Sequence, residues 1–231
     1  MKIFIERITQ AVGAIVLALF VSGCATTEQV PTIRMSGFLG DYSQLHHGRP
    51  GQAEFTYRNP NMDLSKYQKA MLDRVQIWAA EDNSALSKLS REDQQLLVDY
   101  LYVALKDALQ KDYTLVNEPG PDVLRIRCAI TEARATSPVK EILSTVTPYG
   151  LGISYARKLV TGTHSGVGIV SIEGELLDSV SGERLAAVVD RRAGTKSLNI
   201  KATRWGEVQD AFNFWARRMQ TNLALLRTHQ A

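Results

Sequence analysis

The stretch Asp122–Ala133 (DVLRIRCAITEA) constrains the fold more than any other. Leu124, Ile126, Cys128 and Ile130 fall on one side of it, and Arg125, Arg127 and Thr131 on the other. A period of two marks a strand with one buried face. Such a strand needs sheet neighbours and a covering layer, and the rest of the chain offers both. Gly166–Ser179 predicts a long strand, Ser181-Gly182 a turn, and Glu183–Arg192 the returning strand of a hairpin. Two short strands are expected, one over Val75, Ile77 and Ala79 and one over Tyr113–Asn117. Ser90, followed by Glu92 and Asp93, is placed to cap a helix that ends near Asp112, with Leu97, Leu101, Ala104, Leu105 and Ala108 at helical spacing. Trp205, Val208, Phe212, Trp215, Met219, Leu223 and Leu226 form the apolar stripe of a second long helix.

The expected order is therefore β-α-β-β-β-β-α. The fold class is α+β, a single mostly antiparallel sheet of about five strands flanked by two main helices. With 45% hydrophobic residues in 231, one core can form without covalent staples. A net charge of +3 is too small to argue for nucleic acid, and two cysteines cannot build a disulfide framework. Cys128 sits on the apolar side of its strand and reads as a small core residue.

The N-terminus sets location. Lys2 and Arg7 precede Ala11–Ser22 (AVGAIVLALFVS), an apolar run that suits an export signal and falls short of the roughly 20 residues a spanning helix needs. Val21-Ser22-Gly23-Cys24 follows and resembles the lipobox of bacterial lipoprotein precursors. The resemblance implies cleavage of residues 1–23, lipid attachment (diacylglyceryl and an amide-linked palmitate-type chain) at Cys24, and a mature chain of 208 residues. Lys2, Arg7 and Glu6 leave with the signal, so the formal charge falls from +3 to +2. Several acyl chains anchor stably where one would not. Ala25, rather than Asp, follows the cysteine. By likeness to enterobacterial sorting this implies the inner leaflet of the outer membrane, facing the periplasm.

Residues 24–36 read as a lipid-anchored tether, and 37–231 as the periplasmic domain. The domain opens with an extended arm (37–60) held by Phe38, Leu39, Tyr42, Leu45, Phe55 and Tyr57. It also carries an apolar insertion (139–163), in which Leu151, Ile153, Tyr155 and Leu159 form a candidate contact surface. Packing of that segment against its own domain is an equal alternative.

Two stretches resemble an uncharacterised proteobacterial lipoprotein family, known as a domain of unknown function. The first is Ser36-Gly-Phe-Leu-Gly-Asp-Tyr-Ser-Gln-Leu45 with Tyr57-Arg-Asn-Pro60 and Tyr67. The second is Ile172-Glu-Gly-Glu-Leu-Leu-Asp178 with Ser181-Gly-Glu183 and Leu185–Val188. The element order is also similar to the curli-secretion lipoprotein and to the N-terminal domain of TolB, which bears on fold alone.

Chemistry leaves few marks. There is no nucleophile elbow and no phosphate-binding glycine loop. His46-His47 is the best metal candidate, but adjacent residues of an extended chain point apart, and no metal or cofactor is expected. His164 and His229 are isolated. Glu173 and Glu175 would stand about 7 Å apart on one strand face, a glycosidase-like spacing. Cross-strand pairing with Arg125 and Arg127 on a solvent face is the preferred explanation. Arg191-Arg192 and Arg217-Arg218 read as solvated basic clusters. The expected function is thus a non-enzymatic outer-membrane lipoprotein acting as an interaction or assembly module. It would bind the membrane through Cys24 and an envelope partner or its own copies. The alternatives are a subunit of an oligomeric secretion or pore complex, and an envelope hydrolase.

Overall fold

The computed structural model describes residues 27–30, 34–79, 84–136, 167–194 and 203–228. The expected export signal, Cys24, the expected insertion with Leu151, Ile153, Tyr155 and Leu159, and both His164 and His229 lie outside the described residues.

The strands are β1 (Thr27–Gln29), β2 (His46–His47), β3 (Phe55–Arg58), β4 (Lys69–Leu72), β5 (Gln76–Ile77), β6 (Thr114–Leu115), β7 (Val123–Arg134), β8 (Ile169–Asp178) and β9 (Arg184–Gly194). The helices are α1 (Ser84–Ser87), α2 (Arg91–Leu109) and α3 (Gly206–Thr228). Among the described residues all nine strands join one open sheet, ordered β2-β3-β9-β8-β7-β4-β6, with β1 also on β9 and β5 also on β7. The long central strands β7, β8 and β9 are antiparallel, as expected, while β4, β5 and β6 pair parallel, so the sheet is mixed.

Helices α2 and α3 cover one face. Leu97, Leu101, Leu105 and Ala108 from α2 meet Val208, Phe212, Trp215 and Ala216 from α3 over Cys128, Ile130, Val170 and Ile172. Phe212, Leu97 and Leu101 are fully buried, and each contributes about 1.5–3 kcal/mol of transfer free energy. Burial pushes the Cys128 thiol up to about 12, which suits a core residue rather than a nucleophile. Ser90 Oγ accepts from the Asp93 N–H at 3.1 Å and caps α2 as expected. Ser90→Ala should lower stability by about 1 kcal/mol, read as a shift of the urea midpoint.

Two irregularities sort charge from core. The β7–β8 register shifts at Thr131. Strict alternation would have sent Glu132 into the helix-packed core with Ile130. The bulge instead places Ala133 in that core and turns Glu132 to the opposite face. The β8–β9 register shifts at Leu185, which drops among Leu124, Ile126 and Leu176 while Arg184 turns to that same opposite face. Each bulge moves a charged side chain out of an apolar layer, where an unpaired charge would be very costly.

The second face is covered by the arm. All six expected anchors lie in one cluster with Ala129, Ala187 and Val189. The arm is more regular than its turn-rich sequence suggested, because β3 hydrogen-bonds along β9 from Phe55↔Val189 to Arg58↔Ala186 and β2 folds back on β3. The tether expectation covered residues 24–36; of these, Thr27–Gln29 run antiparallel to β9.

Candidate functional site

The face beneath the arm gathers charged side chains that the sequence had placed in solvent. Cross-strand register sets Arg127 opposite Glu175, and Glu173 between Ala129 and Val189. Glu173 is 0% exposed and Glu175 4%. The expectation of a solvent face is corrected here, because the arm and its aromatic side chains lie over these two residues.

The arm reaches them through a tight turn. Gly37 and Gly40 adopt φ of +92° and +71°, the left-handed region that favours glycine. The turn brings four groups to Glu173 and Arg184. The Ser36 N–H donates to Glu173 Oε1 at 2.7 Å, and the Tyr42 hydroxyl donates to Glu173 Oε2. The same hydroxyl accepts from the Gly37 N–H at 2.8 Å. Burial first, then the hydrogen bond to Glu173, raises the Tyr42 phenol above its ordinary value. The Leu39 and Asp41 carbonyls accept from Arg184 at 2.6 and 2.7 Å.

Glu175 is the centre of the charged row. Its Oε1 accepts from Arg127 at 2.6 Å and its Oε2 from Arg184 Nε at 2.9 Å. Arg125 does not join it. That guanidinium forks onto both Asp73 oxygens, the shorter bond being 2.7 Å. The expected four-residue pairing is thus realised for Arg127 and Glu175 only. Phe38 closes the row with its ring 5.0 Å from the Arg127 guanidinium and edge-on to Trp78.

A second group occupies the same face nearer the end of β7. Arg191 bonds both oxygens of Glu132, at 2.7 and 3.3 Å, and Arg134 and Ser171 add further contacts. Burial opposes ionisation of Glu132, but the Arg191 bond and charge, with Arg134 and Ser171, outweigh it and hold the carboxyl below its ordinary value. Arg192 points to the helix side, bonded to Thr27 and stacked 3.7 Å from the Phe214 ring centre. Arg191 and Arg192 are 9% and 7% exposed, which corrects the solvated-cluster expectation for that pair; Arg217 is exposed as expected.

His46 and His47 form β2 and are exposed. His47 stacks on Phe55 and lies 3.4 Å from Glu54. Among the described residues no three metal-ligating side chains come together. A shallow depression over the charged row is lined by Leu39, Asp41, Arg127, Glu175, Leu177 and Arg184. A ligand there would have to compete with Glu175 for both guanidinia.

Sequence reasoning missed Asp73, Arg184, Ser36 and Tyr42 as members of this site. A usable signal was present in the two stretches carrying the family resemblance, which turn out to be opposite sides of one contact. Ser36 and Tyr42 meet Glu173, Asn59 donates to Glu183 at 2.7 Å, and Tyr67 donates to Asp178 at 2.8 Å.

The family model described as protein of unknown function (DUF3313) matches residues 34–219, which include both stretches. No curated protein matches the sequence. Among solved structures, the PelC dodecamer from Paraburkholderia phytofirmans is similar at 12% identity and a TM-score of 0.39, over 71% of this chain and 94% of that one. A DUF330 protein from Xanthomonas campestris is similar at 13% and 0.36, over 75% and 91%. A DUF4136 protein from Bacteroides thetaiotaomicron is similar at 11% and 0.37, over 74% and 95%. At such identities these are likenesses of backbone course.

Proposed function

We propose that this chain, which belongs to the DUF3313 family of proteins of unknown function, is an outer-membrane lipoprotein whose domain serves as a non-enzymatic interaction or assembly module. Cys24 carries the lipid and the domain faces the periplasm. The observation that carries the non-enzymatic reading is the use already made of Glu173 and Glu175. Both are buried, and between them they accept from the Ser36 N–H, the Tyr42 hydroxyl, Arg127 and Arg184. A general acid or base needs an accessible proton position beside a substrate. Here the oxygen atoms of Glu173 are taken up by the arm, and those of Glu175 by two guanidinium groups. This supports a structural role for the pair and speaks against the hydrolase alternative, which rests on the same two residues.

The lipid anchor is supported by the lipobox at Val21–Cys24. No helix among the described residues is long and apolar enough to cross a membrane. The full-length precursor expressed in an outer-membrane bacterium should yield a mature chain beginning at Cys24, with the mass of its acyl groups added, in the outer-membrane fraction. Cys24→Ser should abolish that mass. Crosslinking of the acylated protein in native envelopes should capture a partner or a second copy. An unmodified N-terminus would overturn the anchor, and a strictly monomeric protein without crosslinks would overturn the assembly role.

A further inference from the structure

Strand β1 decides how such a protein would stand on its membrane. It runs antiparallel to β9, with Thr27 opposite Gly194 and Gln29 opposite Arg192. The chain therefore enters the fold at the end of the sheet where β9 finishes, and runs away from that end. The same end holds the finish of β7, the beginning of β8 and the start of α3. There the Gly194 N–H bonds the Gly168 carbonyl and the Thr136 N–H bonds the Arg204 carbonyl. Glu207, in the first turn of α3, accepts from Thr136 and from the Gly168 N–H and ties these elements together. The hairpin turn at Ser179–Gly182 closes the opposite end.

The entry point is pinned. Arg192 donates to the Thr27 hydroxyl at 2.9 Å and to its carbonyl at 2.6 Å, both bonds buried. Gln29 donates to Asp190 at 3.1 Å, and the Val30 N–H to the Arg191 carbonyl at 2.9 Å. Val30 is 0% exposed and packs with Val167, Ile169 and Ala193. Thr27 cannot swing while these contacts hold. Only Ala25 and Thr26 separate it from Cys24. Three residue steps reach at most about 11 Å, where a free tether to residue 36 would reach about 43 Å.

We infer that the bilayer surface lies against the end of the sheet where β7 and β9 finish and β8 begins, held there by the short span between Cys24 and the pinned start of β1. This rests on the lipoprotein reading above. The domain stands with its long strands directed away from the membrane. The hairpin turn at Val180 and Ser181 is its far end, about 30 Å further out along the ten residues of β8. The occupant of the near end is the headgroup layer, fixed by chain length and direction rather than by charge.

Energy transfer tests this on the acylated full-length protein in vesicles of phosphatidylethanolamine and phosphatidylglycerol bearing an acceptor dye on the headgroups. A donor dye is placed on Arg134→Cys at the near end or on Val180→Cys at the far end. Arg134 has a half-exposed side chain and Val180 is 67% exposed. Cys128 is buried and stays unlabelled, and Cys24 is blocked by lipid. Transfer from position 134 should exceed that from 180 several-fold. Inserting ten Gly/Ser residues between Ala25 and Thr26 should weaken transfer at 134 without changing the thermal midpoint. Equal transfer from the two positions, or stronger transfer from 180, overturns the orientation. An insertion without effect overturns the tether as its cause. The intact mass separates the two levels: an acylated protein with the wrong pattern sinks this inference alone, and an unacylated one sinks the lipoprotein reading and this with it.

Discussion

Glu175→Ala should lower the unfolding free energy by about 3 kcal/mol, near the lower end of the range for breaking a buried pair. The Glu175 side chain is 3% exposed, and the substitution would strand two guanidinia rather than one. Their environments differ. Arg127 is 32% exposed at its side chain and has Asp73 4.0 Å away, so it rehydrates or shifts toward that carboxylate. Arg184 is 16% exposed and keeps its bonds to the Leu39 and Asp41 carbonyls. Those residual partners hold the cost below 5 kcal/mol. Glu175→Gln keeps the shape and one acceptor, and should cost about 1.5 kcal/mol, the worth of a charge-assisted hydrogen bond. Urea unfolding of both variants gives the numbers. Limited proteolysis provides the local readout, because an Arg184 held by the Leu39 and Asp41 carbonyls alone fixes their turn less firmly than one also bonded to Glu175, and the arm should become the first site of cleavage. A loss under about 1 kcal/mol for Glu175→Ala would mean that the row is as well solvated as a surface pair.

That row was only half legible in the sequence. Arg127 and Glu175 could be guessed as partners because period-two patterning fixes which side chains share a strand face. The burial of Glu175 could not, because it depends on an arm that ends 115 residues earlier in the chain. The turn-rich composition of 37–60 hid two strands, β3 on the edge of β9 and β2 on β3, whose pairing is decided by those neighbours rather than by local propensity. The long elements were readable for the opposite reason. α2, α3 and β7 each repeat an apolar spacing over ten residues or more, and β8 and β9 are long runs joined by the Ser181-Gly182 turn signal. The two bulges were invisible, although Glu132 on the even, otherwise apolar positions of β7 was a clue. A charge at an inward position calls for a partner or a slip of register, and this chain uses both: a bulge at Thr131 and a bond from Arg191. Six strands among the described residues have only two to four residues, too few for a sustained period; β5 and β6 fall within the two short strands expected, and the other four are defined by their neighbours.

Asp178→Asn should cost about 2 kcal/mol at neutral pH and flatten the acid limb of the stability curve. Asp178 closes the β8–β9 hairpin: its Oδ1 accepts from the Val180 and Ser181 N–H groups at 3.1 and 2.9 Å and from the Ser181 hydroxyl. Its Oδ2 accepts from Tyr67 at 2.8 Å and Lys66 at 3.2 Å. The Ser181 backbone bond leads these effects, followed by the Tyr67 and Lys66 bonds, and together they hold the carboxyl well below its ordinary value against the opposing effect of burial. Burial and the same contact push the Tyr67 phenol up to about 12. Asparagine keeps the Oδ1 bonds but turns an NH2 toward the Lys66 ammonium, a donor facing a donor. The sign follows from linkage. A carboxyl whose folded value lies below its unfolded value near 3.9 contributes stability above about pH 4 and loses it as pH falls toward the folded value. Wild type should therefore drop steeply below pH 4, while the variant starts lower and falls less, so the two curves converge in acid. Asp190 works in the opposite sense, since burial raises its carboxyl, but it is common to both proteins and cancels in the difference. Tyr67→Phe completes a double-mutant cycle, and a coupling of about 1 kcal/mol with Asp178→Asn is expected for groups in direct contact. Parallel curves for wild type and Asp178→Asn between pH 2 and 5 would place the acid sensitivity elsewhere, with the Glu132–Arg191 pair as the next group to test.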